Sequence, residues 1–390
     1  MEFSPQQDKA LQDVSAWLTD GDKPFYYLAG YAGTGKTTLA KHLAEGAKKE
    51  TLFAAYTGKA ALCMQKSGVP SASTIHSILY KPVPPDVKKI EELEKEVRAK
   101  GFLPDLMREL HKLKEPHFEI NEDSPIQDAG LLVLDECSMI DEEMARDVLS
   151  FNVPVLVLGD PMQLPPVKGQ GYFTNGTPDT TLTEIHRQAK DNPIIALSMH
   201  VRENGNIPVG FSENAGRIPR GKIAELVRPE VQFLTGKNVT RHELNDRLRA
   251  KFGYEGEFPQ AGETLICLKN SKDRQLFNGM FVTVDEPHPR EDNFLLPLDI
   301  TTELGVRYEE VPALSVLLNR EMPADEVPYY VVKDREQFDY GYCITVHKAQ
   351  GSQFDHVILY DDGFLNWKKD DRKRWLYTAV TRAVESVFVG

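Results

Sequence analysis

The chain has 390 residues, of which 41% are hydrophobic and 27% are charged, and this length exceeds one ordinary core, so we expect a soluble globular protein of at least two domains. No apolar run approaches the roughly 18 residues of a membrane span, and the N-terminus lacks a signal-peptide layout, so we expect a cytoplasmic protein without a membrane partner. The four cysteines are scattered, which argues against a disulfide framework and a zinc site. The net charge of −13 argues against indiscriminate nucleic-acid binding, although a local basic groove is compatible with it.

The first predicted element is a helix that begins near residue 5. Ser4 fits the N-cap, Pro5 fits the first helical position, and Gln7 fits the partner position of a capping box. Apolar residues then recur at helical spacing. Gln7 therefore has a structural explanation, which competes with any role in binding a ligand.

The next feature is a glycine-rich loop between a predicted strand and a predicted helix. Residues 30–37 read Gly-Tyr-Ala-Gly-Thr-Gly-Lys-Thr and follow the apolar run 25–29. Glycines let the backbone N–H groups turn inward, and the helix N-terminus presents free amides and a positive dipole end to the same point. This context predicts a polyphosphate site, in which Lys36 reaches the β- and γ-phosphates and Thr37 completes a Mg²⁺ shell. The alternative is a turn that binds nothing.

Two short polar loops follow the second predicted strand. Residues 56–61 read Tyr-Thr-Gly-Lys-Ala-Ala and residues 72–77 read Ala-Ser-Thr-Ile-His-Ser. Small hydroxyls, a glycine and a lysine at a strand end suit phosphate or sugar contacts, but such loops are as often plain turns or helix caps. The composition of the sequence then changes, because prolines interrupt the pattern and charged segments predicted to be helical follow them. We interpret residues 80–128 as an insertion in the first domain.

Two further buried strands bring acidic and amide side chains to one edge of the predicted sheet. The strand at 131–134 ends in Asp135 and Glu136, and the next strand is followed by Asp160 and Gln163. We predict that Asp135 holds Mg²⁺ through water and that Glu136 orients or deprotonates the attacking water. Strands that alternate with helices and carry such groups at their carboxyl ends indicate an open α/β sheet, with its ligand at that edge.

The second half of the chain is also predicted to be α/β, without a phosphate loop of its own. Asn-Gly at 278–279 predicts a hairpin, and the residues that follow predict a small β insertion. Arg187 and Arg382 lie in polar settings. They suggest a nucleotide sandwiched between two domains, with the arginines neutralising charge that develops on the γ-phosphate; a surface ion pair is the alternative for each.

In order along the chain, these blocks resemble the motifs of superfamily 1 helicases, of the B branch that includes RecD-like and Dda-like enzymes. The resemblance covers nearly the whole chain. Its nine segments are the Q motif at Gln7, motif I at 30–37, Ia at 57–61, Ib at 73–76, II at 135–136, III at 159–166, IV at 183–187, V at 345–351 and VI at 377–382.

The resemblance implies an α/β fold with two RecA-like P-loop domains, each built on a parallel sheet. It also implies a small insertion in the first domain, called 1B, and an SH3-like β insertion in the second, called 2B. The implied ranges are 1–79 and 129–172 for domain 1A, 80–128 for 1B, 173–278 and 336–390 for domain 2A, and 279–335 for 2B.

The resemblance further implies an ATP-dependent DNA helicase, with ATP and Mg²⁺ as cofactors. The implied catalytic residues are Lys36, Glu136, Gln163, Arg187 and Arg382, and the implied metal ligands are Thr37 and Asp135. Gln7 would recognise adenine. The other implied nucleotide contacts are Gly33, Thr34, Gly35, Lys36, Thr37, Thr38 and Gly351. The implied single-strand contacts are Tyr56, Thr57, Lys59, Thr74, His76, Thr345 and His347.

The implied partners are single-stranded DNA and junctions between single and double strands, with 5′-to-3′ polarity. We expect a monomer that acts in replication, repair or recombination beside other proteins. Tyr56 replaces the proline usual in relatives; it would stack on a base or pack under its loop. Phe118 is the candidate for a strand-separating pin, with a core position as the alternative. A translocase without strand separation and a regulatory P-loop switch remain alternative functions.

Overall fold

The computed structural model describes most of the chain, and its described residues form two compact units. The described residues are 3–46, 49–100, 104–114, 117–165, 171–184, 192–271, 273–290, 292–323, 326–327, 329–332, 335–362 and 367–390. The first unit comprises Met1–Leu79, Asp123–Leu248 and Tyr342–Gly390, and the second comprises Tyr80–Glu122 and Arg249–Gly341.

The strands belong to four sheets. In chain order they are β1 (Phe25–Gly30), β2 (Thr51–Ala55), β3 (Ser73–Thr74), β4 (Tyr80–Val83), β5 (His117–Ile120), β6 (Leu131–Asp135), β7 (Val155–Gly159), β8 (Thr180–Leu182), β9 (Ala215–Arg217), β10 (Val231–Thr235), β11 (Thr264–Cys267), β12 (Phe281–Pro287), β13 (Leu295–Thr302), β14 (Arg307–Leu314), β15 (Phe338–Tyr340), β16 (Cys343–Thr345), β17 (Phe354–Leu359) and β18 (Ala383–Val389).

The helices alternate with these strands. They are α1 (Pro5–Asp20), α2 (Lys36–Glu45), α3 (Gly58–Lys66), α4 (Ile75–Leu79), α5 (Val87–Lys100), α6 (Pro104–Lys114), α7 (Glu142–Leu149), α8 (Pro193–Asn204), α9 (Arg220–Leu226), α10 (Asn238–Lys251), α11 (Ser315–Leu318), α12 (Tyr329–Val332) and α13 (Lys369–Val380), with 3-10 turns at Pro125–Asp128 and Cys137–Met139. Within the described ranges, none of these helices is both long and apolar enough to cross a bilayer.

The first sheet of the first unit is parallel throughout, in the order β3-β2-β6-β7-β1-β8. Its central strands are apolar runs in which consecutive residues are buried, as expected for a parallel sheet that is covered on both faces. Trp17, Leu39 and Met64, from α1, α2 and α3, pack in one buried cluster with Leu28 and Leu156 of the sheet. The strands β1, β6 and β7 are therefore held in place by a buried hydrophobic core.

One predicted domain boundary is wrong. We placed residues from 173 onward in the second domain, but β8 pairs with β1, with Thr180 opposite Leu28. The backbone of β1 needs a partner on this side, and the short strand β8 supplies it. The first sheet therefore continues to Leu182.

The second sheet of the first unit is also parallel, in the order β16-β10-β17-β18-β9. Helices α8 and α13 pack against each other and against β18. Trp375 of α13 is completely buried, as is Leu197 of α8. The predicted α/β class of the second half is confirmed.

The second unit contains residues 80–122 of the first predicted insertion and the whole range of the second, together with residues 249–278 and 336–341, which were predicted for domain 2A. Strands β4 and β5 form an antiparallel pair, and α5 and α6 share a small core of Ile90, Leu93 and Leu110. The remaining sheet is antiparallel, in the order β14-β13-β12-β11-β15. It includes β11 and β15, so it is wider than the predicted range 279–335, and its likeness to SH3 domains stays a prediction.

The predicted hairpin at Asn278-Gly279 is also wrong in its register. Leu276 forms an isolated bridge with Ser271, whereas β11 pairs with β12 through Leu265 and Val282. The connection is thus longer than two residues. Gly279 still adopts a left-handed backbone, with φ of 92°, and its N–H donates to the Cys267 carbonyl.

Candidate active site

The predicted phosphate loop lies between β1 and α2, where strand, turn and helix were expected. Gly33 and Gly35 have φ angles of 77° and 78°, in the left-handed region that favours glycine. A Cβ atom on Gly30 would lie 2.6 Å from Thr34 Oγ1. All three predicted glycine positions therefore have a local geometric reason.

Lys36 holds its ammonium over the start of this loop. Its Nζ donates to the carbonyls of Gly30, at 2.7 Å, and Tyr31, at 3.3 Å. A cleft of about 300 Å³ opens in front of the loop. The predicted residues that line it are Gly33, Thr34, Gly35, Lys36, Thr37, Thr38, Asp135, Glu136, Gln163, Gly351 and Arg382.

The cleft is also lined by residues to which the sequence analysis gave no nucleotide role. The sequence analysis placed Asp160 at the same sheet edge. Four others lie inside the motif segments without an assigned role, namely Ala32, Ala60, Gly159 and Thr381, and no motif marks the rest. The full set is Ala32, Ala60, Cys63, Met64, Ser67, Gly159, Asp160, Ser352, Gln353 and Thr381. Arg187, predicted to join this site, lies outside the described residues.

The predicted metal ligands are adjacent. Thr37 Oγ1 donates to Asp135 Oδ2 at 2.8 Å, and Asp135 Oδ1 accepts from the Glu136 N–H at 2.8 Å. Among the described residues, no cluster of three or more His, Cys, Asp or Glu side chains could hold a metal ion. Mg²⁺ needs fewer protein ligands than such a cluster provides, because it keeps several water ligands and is also coordinated by oxygens of substrate phosphates. The hard-oxygen pair therefore fits Mg²⁺ bound together with a nucleotide.

Glu136 has an unusual backbone for its residue type. Its φ of 55° lies in the left-handed region, which non-glycine residues seldom adopt away from functional sites. The side chain is partly accessible from the cleft, yet the protein atoms packed round its carboxyl raise its pKa. The positive charges of Arg382 and Lys36 act in the opposite direction. This combination is typical of a carboxylate with a role in proton transfer.

Gln163 links Glu136 to Arg382. With its amide oriented to satisfy both neighbours, its nitrogen donates to Glu136 Oε2 at 2.9 Å and its oxygen accepts from Arg382 Nη2 at 3.3 Å. Arg382 is only 5% exposed, and its Nε donates to the Thr378 carbonyl at 3.1 Å. Three predicted catalytic residues thus meet, with Arg382 reaching them from the half of the unit that carries the second sheet.

A second hydrogen-bonded group joins the two halves and was missed in the sequence. The hydroxyl of Tyr377 donates to Asp160 Oδ2 at 2.7 Å and accepts from the Ala32 N–H at 3.1 Å. Burial raises the pKa of Asp160, and the Tyr377 hydrogen bond and the Lys36 charge oppose that rise. The only available signal was that Tyr377 begins motif VI.

Gln7 has both polar groups of its side chain engaged. Its Oε1 accepts from the Ser4 N–H at 3.0 Å, which completes the predicted capping box, and its Nε2 donates to the Thr34 carbonyl at 3.0 Å. The side chain is buried and does not line the cleft. Its contact with adenine stays a prediction, while its contact with the phosphate loop is established.

The three threonines predicted to contact DNA share one local geometry. The hydroxyl oxygens of Thr57, Thr74 and Thr345 accept from backbone N–H groups three residues later, at 3.1, 3.3 and 3.2 Å respectively. Each therefore caps a turn at the carboxyl end of a parallel strand, and its contact with DNA stays a prediction. A Cβ on Gly351 would lie 2.7 Å from Thr57 Oγ1, which places the motif V loop beside motif Ia.

The other predicted DNA contacts are partly buried. The rings of Tyr56 and His76 meet edge to face, with centroids 6.1 Å apart, so Tyr56 packs within its loop region. Burial raises the pKa of Tyr56 and lowers the pKa values of His76 and His347. Burial therefore disfavours the charged form of both histidines. Lys59 is half-buried at the start of α3.

Comparison with known proteins decides the family. The family model described as an AAA domain matches residues 2–222, which is more than half of the chain. The chain belongs to the AAA domain family. In this AAA domain protein, the model described as a UvrD-like helicase C-terminal domain also matches residues 340–389.

Two curated relatives of this AAA domain protein are named as helicases. The chain is 28% identical over 395 residues to the ATP-dependent RecD2 DNA helicase of Deinococcus radiodurans, a match that covers 93% of the chain and 46% of the relative. It is 23% identical over 412 residues to the ATP-dependent DNA helicase Pif1 of Campylobacter jejuni, covering 92% of the chain and 86% of the relative. The chain thus spans less than half the length of RecD2.

Solved Pif1 structures share the fold of this AAA domain protein. A Bacteroides Pif1 bound to single-stranded DNA aligns with a TM-score of 0.57 and 19% identity, and covers all of this chain and 92% of that one. A structure of Pif1 helicases at forked double-stranded DNA aligns with a TM-score of 0.56 and 18% identity, with the same coverage. The expected resemblance to RecD-like helicases of superfamily 1B is confirmed, and the comparisons extend it to Pif1. The expected pair of RecA-like domains is confirmed as well.

Proposed function

We propose that this protein is an ATP-dependent DNA helicase that moves 5′ to 3′ along single-stranded DNA and separates duplex ahead of it. The observation that carries the proposal is the chain of contacts from Glu136 through Gln163 to Arg382. A carboxylate, an amide and a guanidinium from two RecA-like halves converge on one phosphate loop. Such a site joins hydrolysis to the relative position of the halves.

ATP binds with its phosphates in the loop. Lys36 exchanges the carbonyls of Gly30 and Tyr31 for β- and γ-phosphate oxygens, which is favourable because a phosphate carries full negative charge. Thr37 and Asp135 would hold Mg²⁺, which would neutralise phosphate charge.

Hydrolysis uses the groups on the opposite wall of the cleft. Glu136 orients a water molecule and accepts its proton, and Gln163 keeps the Glu136 carboxylate in place. Arg382 stabilises the negative charge that develops on the γ-phosphate, and we propose that Arg187 assists it. Since Arg382 comes from the second half, hydrolysis is fast only when the halves are closed.

Single-stranded DNA is proposed to bind along the carboxyl ends of the parallel strands. The hydroxyl oxygens of Thr57, Thr74 and Thr345 already accept backbone N–H groups, so each O–H proton is available to a phosphate. Contacts of this kind are independent of base sequence, and affinity falls as salt rises where lysine contributes. The RecD2 and Pif1 names and the Pif1 complex with single-stranded DNA support DNA as the track.

We further propose that the chain works as a monomer at junctions between single and double strands, beside proteins of replication, repair or recombination. Phe118 on β5 is proposed as the strand-separating pin. Its side chain is 51% exposed, so the alternative of a core residue is wrong. Tyr80 lies beside it, with ring centroids 6.4 Å apart.

An unwinding assay tests the proposal. Duplexes with a 5′ tail or a 3′ tail are mixed with protein and ATP, and Lys36→Ala serves as the control without hydrolysis. We expect strand separation of the 5′-tailed duplex only, and none with the variant. ATPase stimulated by DNA without strand separation would favour a translocase. Slow ATPase indifferent to DNA would favour a regulatory switch, and an RNA tail tests the choice of nucleic acid.

A further inference from the structure

The first turn of the phosphate loop is held from the other half of the unit at two consecutive residues. The guanidinium of Arg202, on α8, lies over the Tyr31 ring at 3.9 Å from its centroid. The Ala32 N–H donates to the Tyr377 hydroxyl, on α13. Helices α8 and α13 pack against each other, so the two contacts come from one rigid pair.

The phenol of Tyr377 hydrogen-bonds to the buried Asp160 and to the half-buried Ala32. Tyr377 is 1% exposed and Asp160 is 4% exposed, and the short hydrogen bond between them is charge-assisted if the carboxyl is ionised. Asp160 Oδ1 accepts from the Met162 N–H, so the same carboxyl also shapes the loop that ends in Gln163. One hydroxyl therefore contacts motif I and, through Asp160, motif III.

The same helix end supplies the catalytic arginine. α13 ends at Val380, and Arg382 lies two residues beyond, after the C-cap Thr381, with its Nε donating to the Thr378 carbonyl. Thr378 Oγ1 also accepts from the Leu164 N–H at 3.0 Å. A shift of α13 relative to the phosphate loop must therefore move the Tyr377 hydroxyl and the Arg382 guanidinium together.

We propose that Tyr377 is a positioning residue, which sets the place of Arg382 relative to the phosphate loop by clamping Ala32 and Asp160. The proposal rests on the ATP hydrolysis proposed above for this site. The cation–π contact between Arg202 and Tyr31 is a second interaction that fixes the same turn of the phosphate loop. Since the phenol has no contact with the reacting phosphate in this role, its effect passes through Arg382.

A double-mutant cycle tests whether the effect of Tyr377 on hydrolysis depends on Arg382. Tyr377→Phe keeps the ring and removes only the hydroxyl, and Tyr360→Phe, at a tyrosine that does not line the cleft, is the matched control. We expect Tyr377→Phe to lower kcat of DNA-stimulated hydrolysis about tenfold, or about 1.4 kcal/mol, with KM for ATP within twofold of wild type. In an Arg382→Ala background the same change should lower kcat less than twofold.

Equal losses in both backgrounds, or no loss in the first, would overturn the proposal. A merely structural hydroxyl would lower the rate by the same factor whether or not Arg382 is present. Tyr360→Phe should match wild type in every assay.

A measurement without nucleotide separates this proposal from the proposed function. Backbone hydrogen exchange at Ala32 should accelerate about tenfold in Tyr377→Phe, because its N–H loses its acceptor, and should not change in Tyr360→Phe. Arg202→Gln should accelerate the same amide to a smaller extent. Unchanged exchange in Tyr377→Phe would refute the clamp even if the wild type hydrolyses ATP. Accelerated exchange in a protein that lacks ATPase would leave the clamp in place and reject the proposed function.

Discussion

Replacing Glu136 with glutamine removes a negative charge and a proton acceptor while it keeps the shape of the side chain. The Gln163 nitrogen lies 2.9 Å from Glu136 Oε2, and the new amide oxygen can accept the same hydrogen bond. The contact chain to Arg382 therefore survives. What is lost is the base that accepts the proton of the attacking water. A positioned general base contributes about 10²–10⁴ in rate, so we expect kcat to fall at least about 100-fold, or about 2.7 kcal/mol.

The affinity of Glu136→Gln for ATP should not fall together with kcat. Asp135 and Glu136 both place negative charge near the phosphates, so the neutral side chain should leave ATP binding unchanged or make it a few times tighter. The assay is steady-state ATP hydrolysis with saturating DNA, combined with titration of a fluorescent ATP analogue. Glu142→Gln is the control, because Glu142 is an exposed glutamate that pairs with Arg146 on α7. If Glu136→Gln turned over ATP at more than about a third of the wild-type rate, another group would have to be the base.

The same variant has a consequence for stability. Burial raises the pKa of Glu136 above 4.5, so the folded state keeps a proton that the unfolded state releases. Stability from this group is present below 4.5 and is lost as pH rises through the higher folded pKa. The melting temperature of Glu136→Gln minus that of wild type should therefore increase between pH 4.5 and pH 8. A difference that stays flat across this range would contradict the effect of burial.

Three further predictions concern the arginine, the motif V glycine and the pin. Arg382→Ala should bind ATP but hydrolyse it about 10³-fold more slowly, and unchanged turnover with DNA saturating would mean that the halves do not share the nucleotide. Gly351→Ala should lower unfolding stability in urea by about 1–3 kcal/mol, since φ is 75° and the new Cβ meets Thr57 Oγ1. Gly21→Ala, with φ of 63° and open space, should cost less. Phe118→Ala should reduce unwinding several-fold while DNA-stimulated ATPase is retained, and parallel losses of both would reject the pin.

Much of this site follows from local sequence. The phosphate loop was predictable because strand, glycines, Lys36 and Thr37 are contiguous, and backbone geometry leaves few alternatives. Asp135 and Glu136 were predictable because parallel strands end at one sheet edge. The capping box of α1 was predictable because it spans four adjacent residues.

Long-range geometry was not predictable from local rules. The contact between Tyr377 and Ala32 joins residues 345 positions apart, and nothing in the spacing of either loop indicates it. The pairing of β8 with β1 depends on which sheet edge lacks a neighbour, which a three-residue strand does not reveal. The misplaced hairpin at Asn278-Gly279 shows the same limit: a strong turn signal occurs at the end of a longer connection, and the strands on either side choose the register.

The hydrogen bond from Gln7 to the Thr34 carbonyl fastens the backbone of the phosphate loop to α1. Ser4 in turn orients the same amide, because its backbone N–H donates to Gln7 Oε1. Changes that disturb the first turn of α1 would therefore loosen the loop backbone without altering any residue that lines the cleft.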